Sequence, residues 1–128
     1  NFKNYWQVWR DGDVLVYPQD YNGICLPVIE AFSSGLGVIT TKIHPFNKYL
    51  PNELMFEPSG HYETRVSRGM IKVQAAIIPK ERIAAKIDEF AMKDISSFSA
   101  QGCKYASEHS WEVLLPKYLS LFESLCER

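Results

Sequence analysis

Two short runs of β-branched and aliphatic residues, at 13–17 and 38–41, limit the folds open to this chain more than any other feature. A continuous apolar run that ends at a proline, as the first run does, is typical of a strand buried on both faces. Between the runs we predict a helix over 26–35, because Pro27 suits its first position and Gly35 suits its end. Such strand–helix–strand units nearly always pair their strands in parallel with a right-handed crossover.

The rest of the chain predicts one more strand, a hairpin and several helices. A third short strand is expected at 54–57 and a β-hairpin at 61–78, with its turn at Ser67, Arg68 and Gly69. Helices are expected from the spacing of Tyr5, Trp6 and Trp9 and over 80–92, 94–108 and 111–127. We therefore predict an α/β fold: a three-layer, Rossmann-like domain with a short parallel sheet, a β-hairpin insert at 59–79 and C-terminal helices.

Size, charge and cysteine content narrow the class of protein. The chain has 128 residues, of which 46% are apolar and 23% charged, which suits a single globular domain with its own core. A formal net charge of −1 exerts no long-range attraction on nucleic acid, so we expect no nucleic-acid partner. No signal peptide opens the sequence, and no apolar run reaches the roughly 18 residues that span a bilayer. The three cysteines are odd in number and far apart, which suits a reducing compartment, and we expect a cytoplasmic protein.

The loop between the first strand and the first helix carries the strongest indication of function. It contains an Asn-Gly pair at 22–23 and lies at the carboxyl end of a strand, where open α/β sheets bind ligands. Unpaired N–H groups at the positive end of the helix dipole favour an anion such as pyrophosphate. The amides concerned are those of Gly23, Ile24, Cys25 and Leu26. Glu30, one turn further on, is placed to accept hydrogen bonds from a vicinal diol such as that of ribose.

Ordinary explanations compete with this interpretation. The Asn-Gly pair is also typical of a hairpin turn, and a glutamate is favoured in the first turn of any helix. Cys25 opens another alternative, because a thiol at a helix N-terminus can have a lowered pKa and act as a nucleophile. A buried packing residue is the simpler explanation of a free cysteine, and the sequence does not place His44, His61 or His109 beside it as a base.

The residues around this loop resemble a known pattern. The segments GDVLVYP at 12–18, NGICLPVIEAF at 22–32 and GLGVI at 35–39 are similar to the donor-binding segment of one enzyme family. That family is the GT-B-fold retaining glycosyltransferases, also called "glycosyl transferases group 1". The resemblance continues in the helix at 83–90 and in Ser110-Trp111-Glu112, which is similar to the family's Ser-Trp before its last helix.

The resemblance implies a function for the chain and a larger parent enzyme. It implies the C-terminal, donor-binding lobe of a two-lobed enzyme that transfers a sugar from a nucleotide-diphosphate sugar to an acceptor hydroxyl with retention, without a metal or other cofactor. It assigns the ribose hydroxyls to Glu30, the sugar and phosphates to the amides at 23–26, and a catalytic contact with the donor sugar to Asn22. Residues 1–128 would then be one domain of a longer protein, inactive without its N-terminal acceptor lobe. Peripheral membrane association of the parent enzyme is compatible with this scheme.

Several residues depart from the family pattern. Asn22 stands where the family has a glutamate, and an amide cannot supply the negative charge of a carboxylate. Gln19 replaces a serine, Cys25 a glycine and Gly37 a proline, and nothing in the chain matches the family's basic pair that grips the diphosphate. These departures keep a second hypothesis open: a non-catalytic nucleotide-binding or scaffolding domain of the same fold.

Other residue groups have less specific interpretations. No pair of Cys or His residues has the spacing of metal ligands, so we expect no metal site. Basic residues in the hairpin either contact an anion or form a solvated face, the more common arrangement; they are Arg65, Arg68 and Lys72. The apolar stripe of the last helix is interpreted as core contacts, with part of it an interdomain surface in the GT-B scheme; it comprises Trp111, Leu114, Leu115, Tyr118 and Phe122.

Overall fold

A computed structural model describes residues 3–126 of the chain. Its main elements, in chain order, are an N-terminal 3-10 helix (Tyr5–Trp9), β1 (Val14–Val16), α1 (Leu26–Ser33), β2 (Gly37–Thr41), β3 (Met55–Phe56), β4 (Gly60–Val66), β5 (Ile71–Ile77), α2 (Lys80–Ala91), α3 (Ser96–Glu108) and α4 (Trp111–Cys126). The predicted α/β fold is confirmed, with its short parallel sheet, hairpin and C-terminal helices. The predicted last residue of α4, Glu127, lies outside the described residues.

The parallel sheet has β2 at its centre. β1 pairs with β2 in parallel, with Val14 opposite Gly37, and β3 pairs with the other edge, with Thr40 opposite Met55. All five residues of β2 are buried, so both faces of the central strand are covered. The β-branched run at 38–41 therefore occupies the position that its composition favours, and the predicted strand–helix–strand unit is confirmed.

The helix α1 is held against the sheet and against α3. Its buried residues are Val28, Ala31 and Phe32, and it ends before Gly35, whose φ of 81° is in the left-handed region that favours glycine. Pro27 was predicted at the first position of the helix. It occupies the second position, because the helix begins at Leu26. α3 crosses α1 at Gly102, where a Cβ atom would overlap the carbonyl oxygen of Phe32.

The predicted hairpin is present and attaches to the rest of the domain near its base. β4 and β5 pair antiparallel, and the turn places Ser67, Arg68 and Gly69 at positive φ. The backbone N–H of Ala76 donates to the carbonyl oxygen of Asp20 at 2.6 Å. This hydrogen bond fixes the hairpin beside the loop that follows β1.

The last helix corrects one prediction. α4 has no buried residue, and Trp111 and Phe122 are 68% and 58% exposed. The interpretation of its apolar stripe as core contacts is wrong, since only Leu114 is even half-buried. Apolar spacing predicts a helix with an apolar face, whereas burial also needs a neighbouring element, and the described part of the chain supplies none. No helix among residues 3–126 is both long enough and apolar enough to cross a bilayer.

Candidate functional site

The loop after β1 is fixed at the carboxyl edge of the sheet by two buried threonines of β2. The hydroxyl of Thr40 donates to the carbonyl oxygen of Tyr17 at 2.8 Å. The hydroxyl of Thr41 accepts a hydrogen bond from the backbone N–H of Gln19 at 3.1 Å. Both threonines are fully buried, so these bonds also satisfy polar groups that water cannot reach. The loop therefore leaves the sheet from a defined position.

Asn22, the predicted contact to the donor sugar, is held by another residue of the loop. Its Nδ2 donates to Oε1 of Gln19 at 3.2 Å. Two of the departures from the family pattern thus contact each other. Its Oδ1, the acceptor of the amide, accepts no hydrogen bond within residues 3–126 and can accept one from a ligand hydroxyl.

Cys25 immediately precedes α1 and has a left-handed backbone, with φ 51° and ψ 70°. The family pattern has glycine here, and glycine is the residue that adopts this conformation without strain. The thiol is buried, with 8% of the residue exposed. Burial raises the pKa of the Cys25 thiol, and hydrogen bonds from the Val28 N–H and from Asn22 oppose this effect only in part. A buried thiol with a raised pKa supports the packing interpretation of Cys25 and not the nucleophile hypothesis, which requires a lowered pKa.

The loop also contains backbone N–H groups that are not used by the fold. Within residues 3–126, no acceptor bonds the N–H groups of Gly23, Ile24 and Cys25. Gly23 is exposed, and Ile24 and Leu26 are 71% and 60% exposed. The alternative of a hairpin turn at 22–23 is wrong, because the strands on either side are parallel and neither turn residue has the positive φ of a type I′ turn.

A cleft of about 410 Å³ opens beside this loop, between the segment after β2 and the hairpin. Its polar lining residues are Asp20, Tyr21, Asn22, Lys42, His44, Asn47, His61 and Gln74. Among the predicted site residues only Asn22 lines it. The sequence could have indicated Lys42 and His44 as residues of this cleft, because they lie within three residues of the end of a parallel strand. It contains no such indication for His61, which the hairpin brings to the cleft. Lys42 is already paired, since its Nζ lies 2.6 Å from Oε1 of Glu57.

Asp20 joins this cleft to the hairpin. Its Oδ2 accepts a hydrogen bond from the Tyr62 hydroxyl at 3.1 Å, and its Oδ1 accepts one from the Tyr21 N–H at 2.8 Å. The hydrogen bond to the Asp20 carboxylate is the main cause of the raised pKa of Tyr62. This carboxylate therefore holds a wall of the cleft in place.

Glu30 lies in a different cleft from Asn22. It is in the second turn of α1 and lines a cleft of about 300 Å³ with Tyr5, Trp6, Trp9, Ser33 and Ser34. The first turn of α1 contains no acidic residue, so the alternative of an ordinary first-turn glutamate is wrong. Oε2 of Glu30 accepts a hydrogen bond from the Tyr5 hydroxyl at 2.6 Å. The structure thus separates the two predicted ends of the site, with the loop at 23–26 between them in the chain.

Two of the basic residues of the hairpin form contacts within the hairpin itself. Arg65 donates to the carbonyl oxygen of Gly69 at 2.9 Å, and Lys72 lies 2.8 Å from Glu63, so both are engaged within the hairpin. Neither lines the two clefts described above.

In the described part of the chain, no three His, Cys, Asp or Glu side chains are grouped so that they could hold a metal ion.

Comparisons of the chain with known proteins add no further assignment. No protein-family model, no curated protein and no solved structure matches it. A functional proposal therefore depends on the sequence pattern and on the geometry of the loop and its two clefts.

Proposed function

We propose that the chain is the donor-binding domain of a retaining glycosyltransferase and binds a nucleotide-diphosphate sugar along the loop from Asn22 to Leu26. The observation that carries the proposal is the set of loop N–H groups that lack an acceptor within residues 3–126. They lie at the N-terminus of α1 and at the carboxyl edge of a parallel sheet. Both locations favour a phosphate-containing ligand.

The diphosphate lies against the amides of Gly23, Ile24, Cys25 and Leu26 in this proposal. These dipoles are fixed in the fold, and they stabilise the charge that develops on the departing diphosphate when the sugar is transferred. No metal is needed for that role.

In this proposal the donor sugar lies at Asn22 and the ribose at Glu30. Asn22 presents an amide oxygen in the cleft at the carboxyl edge of the sheet, where it accepts a hydrogen bond from a sugar hydroxyl. Glu30 presents a carboxylate in the aromatic cleft, where its two oxygens can accept from the two ribose hydroxyls.

The remainder of the enzyme is a proposed partner. An acceptor lobe must hold the acceptor hydroxyl against the donor, because that positioning supplies much of the rate of a two-substrate reaction. The uncovered apolar surface of α4 agrees with a neighbouring lobe. We place the protein in the cytoplasm, because its three free cysteines suit a reducing compartment.

Titration of the 15N-labelled chain with uridine, guanosine and adenosine diphosphates tests the binding. We expect the amide signals of Gly23 and Glu30 to shift with at least one of them. Glu30→Gln should weaken binding by about 1–3 kcal/mol, the scale of a hydrogen bond to a charged group. Glu81→Gln, an exposed carboxylate in the first turn of α2, is the matched control and should leave the affinity unchanged. Unmoved Gly23 and Glu30 signals with all three nucleotides would contradict the proposal.

The non-catalytic hypothesis is favoured by one observation, the amide pair of Gln19 and Asn22 where the family has a carboxylate. Transfer from a radiolabelled donor separates the two functions. We expect no transfer by residues 1–128 alone and transfer by the full-length protein. There Asn22→Ala should lower turnover more than nucleotide affinity, as expected for a contact made mainly in the transition state. A full-length protein that binds the nucleotide but transfers no sugar would establish the non-catalytic function.

A further inference from the structure

The N-terminal 3-10 helix lies over the acid that the proposed function assigns to the ribose. The hydroxyl of Tyr5 donates to Oε2 of Glu30 at 2.6 Å, a contact between residues 25 positions apart. The other carboxylate oxygen, Oε1, accepts no hydrogen bond within residues 3–126. The hydrogen bond to this carboxylate also raises the pKa of Tyr5 above its usual value.

We propose that the Tyr5 hydroxyl occupies the place of a ribose hydroxyl at Glu30, and that a nucleoside enters the aromatic cleft by replacing it. This inference rests on the proposed function, because it needs a ligand with a vicinal diol at Glu30. Tyr5 then selects among ligands. When the Tyr5 hydroxyl leaves, Glu30 loses a hydrogen bond, and only a ligand with hydroxyl donors of its own replaces that bond.

The chemistry of the exchange is balanced. A phenol and a ribose hydroxyl are both O–H donors to the same carboxylate, so the exchange replaces one hydrogen bond of a given kind with another. The diol has two hydroxyls and the carboxylate has two oxygens. The first hydroxyl can therefore bond Oε1 while Tyr5 still holds Oε2, and the second then displaces the phenol.

The 3-10 helix is built so that Tyr5 can leave Glu30 without unfolding the segment. It has no buried residue, and Tyr5 is 64% exposed, so the side chain loses little buried area when it moves. The segment is held by its own cap, in which Oε1 of Gln7 accepts hydrogen bonds from the backbone N–H groups of Lys3 and Asn4. These bonds do not involve the Tyr5 side chain.

The cleft also suits the base of a nucleoside. Trp6 and Trp9 line it together with Glu30, and Trp6 is largely exposed. Aromatic side chains stack with any nucleobase, because every base has a π face. The cleft thus joins a stacking surface to a diol acceptor, and base preference should be weak.

The test compares Tyr5→Phe with the wild-type chain by isothermal titration with uridine, guanosine and adenosine diphosphates and with their 2′,3′-dideoxy counterparts. Tyr5→Phe keeps the ring and removes only the competing hydroxyl. We expect the ribonucleotides to bind about three- to tenfold more tightly, which corresponds to one hydrogen bond of modest net strength. The dideoxy nucleotides, which have no diol, should bind both proteins equally. Tyr118→Phe, an exposed tyrosine on α4 that does not line the cleft, is the control.

A second comparison makes the result specific to the pair of residues. In a Glu30→Gln background, Tyr5→Phe should no longer tighten ribonucleotide binding, because the exchange at the carboxylate is gone. Equal or weaker ribonucleotide binding by Tyr5→Phe, or equal tightening of the dideoxy nucleotides, would overturn the exchange while the proposed function stands. Binding of no nucleotide to either protein would overturn the proposed function and this inference together.

Discussion

The helices α1 and α4 have similarly apolar sequences and opposite surroundings. α1 is eight residues long and buries Val28, Ala31 and Phe32 between β2 and α3. α4 is twice as long, at 16 residues, and buries none. Apolar spacing therefore predicts which face of a helix is suited to contact, and the neighbouring elements decide whether the contact exists. The free energy of unfolding should accordingly reside in the β1–α1–β2 unit and α3, with little from α4.

The largest difference in the free energy of unfolding is expected between two variants that each lose a phenylalanine ring, one in α1 and one in α4. Phe32→Ala should lower the free energy of unfolding by about 3–5 kcal/mol, because it leaves a cavity in a fully packed region. Phe122→Ala should change it by no more than ~0.5 kcal/mol, as is usual for exposed positions. Urea denaturation of both variants measures the difference. Equal losses would show that α4 is packed in solution.

A smaller loss is expected where α1 and α3 approach each other most closely. Gly102→Ala places a methyl group against the carbonyl oxygen of Phe32, so the helices must separate, at about 1–3 kcal/mol. Gly23→Ala is the matched control, because a Cβ there meets nothing within 4 Å. Thermal unfolding followed by circular dichroism compares the two. A Gly102→Ala protein as stable as Gly23→Ala would contradict the observed α1–α3 contact.

The core also contains one buried polar group whose removal should stabilise the domain. The Tyr49 hydroxyl is buried without a hydrogen-bond partner in residues 3–126, and burial raises the pKa of this tyrosine well above its usual range. Tyr49→Phe removes the orphaned hydroxyl and should stabilise the domain by up to ~1 kcal/mol. Tyr118→Phe on α4, where the side chain is exposed, should change nothing. A destabilised Tyr49→Phe protein would indicate a bonded hydroxyl.

The smallest effect on folding, with the clearest effect on association, is expected on α4. Leu119→Lys combined with Phe122→Lys adds charge to an apolar surface that no other element within residues 3–126 covers. The free energy of unfolding should change by less than ~0.5 kcal/mol. Self-association of the wild-type chain at high concentration, which exposed apolar patches promote, should disappear. Sedimentation of both proteins across a concentration series checks this, and two monomeric proteins would show that the patch does not drive association.

The parts of the fold that depend on local pattern could be predicted from the sequence. The β-branched run at 38–41 specified a buried strand, and the turn at 67–69 specified a hairpin, because both signals lie within a few residues. The burial of α4 was predicted wrongly, since it depends on a neighbour that no local pattern describes. The contact of Tyr5 with Glu30 was not predicted, because it joins residues 25 positions apart.

In the candidate site, too, the features that depend on neighbouring residues could be predicted and those that depend on distant residues could not. The loop at 22–26 was identified from residues adjacent in sequence, and its position at the carboxyl end of β1 is confirmed. That Asn22 and Glu30 line two separate clefts was not predicted. His61 reaches one cleft only because the hairpin attaches beside Asp20, and that attachment has no sequence signature.

The hairpin turn has a practical consequence for work with this protein. Ser67, Arg68 and Gly69 lie at the end of the hairpin away from its bonds to Asp20, and none of them lines either cleft. Exposed loop tips of this kind tolerate inserted sequence. An epitope or a fluorescent label grafted between Arg68 and Gly69 would therefore give a handle for purification or for distance measurements, with both clefts left open.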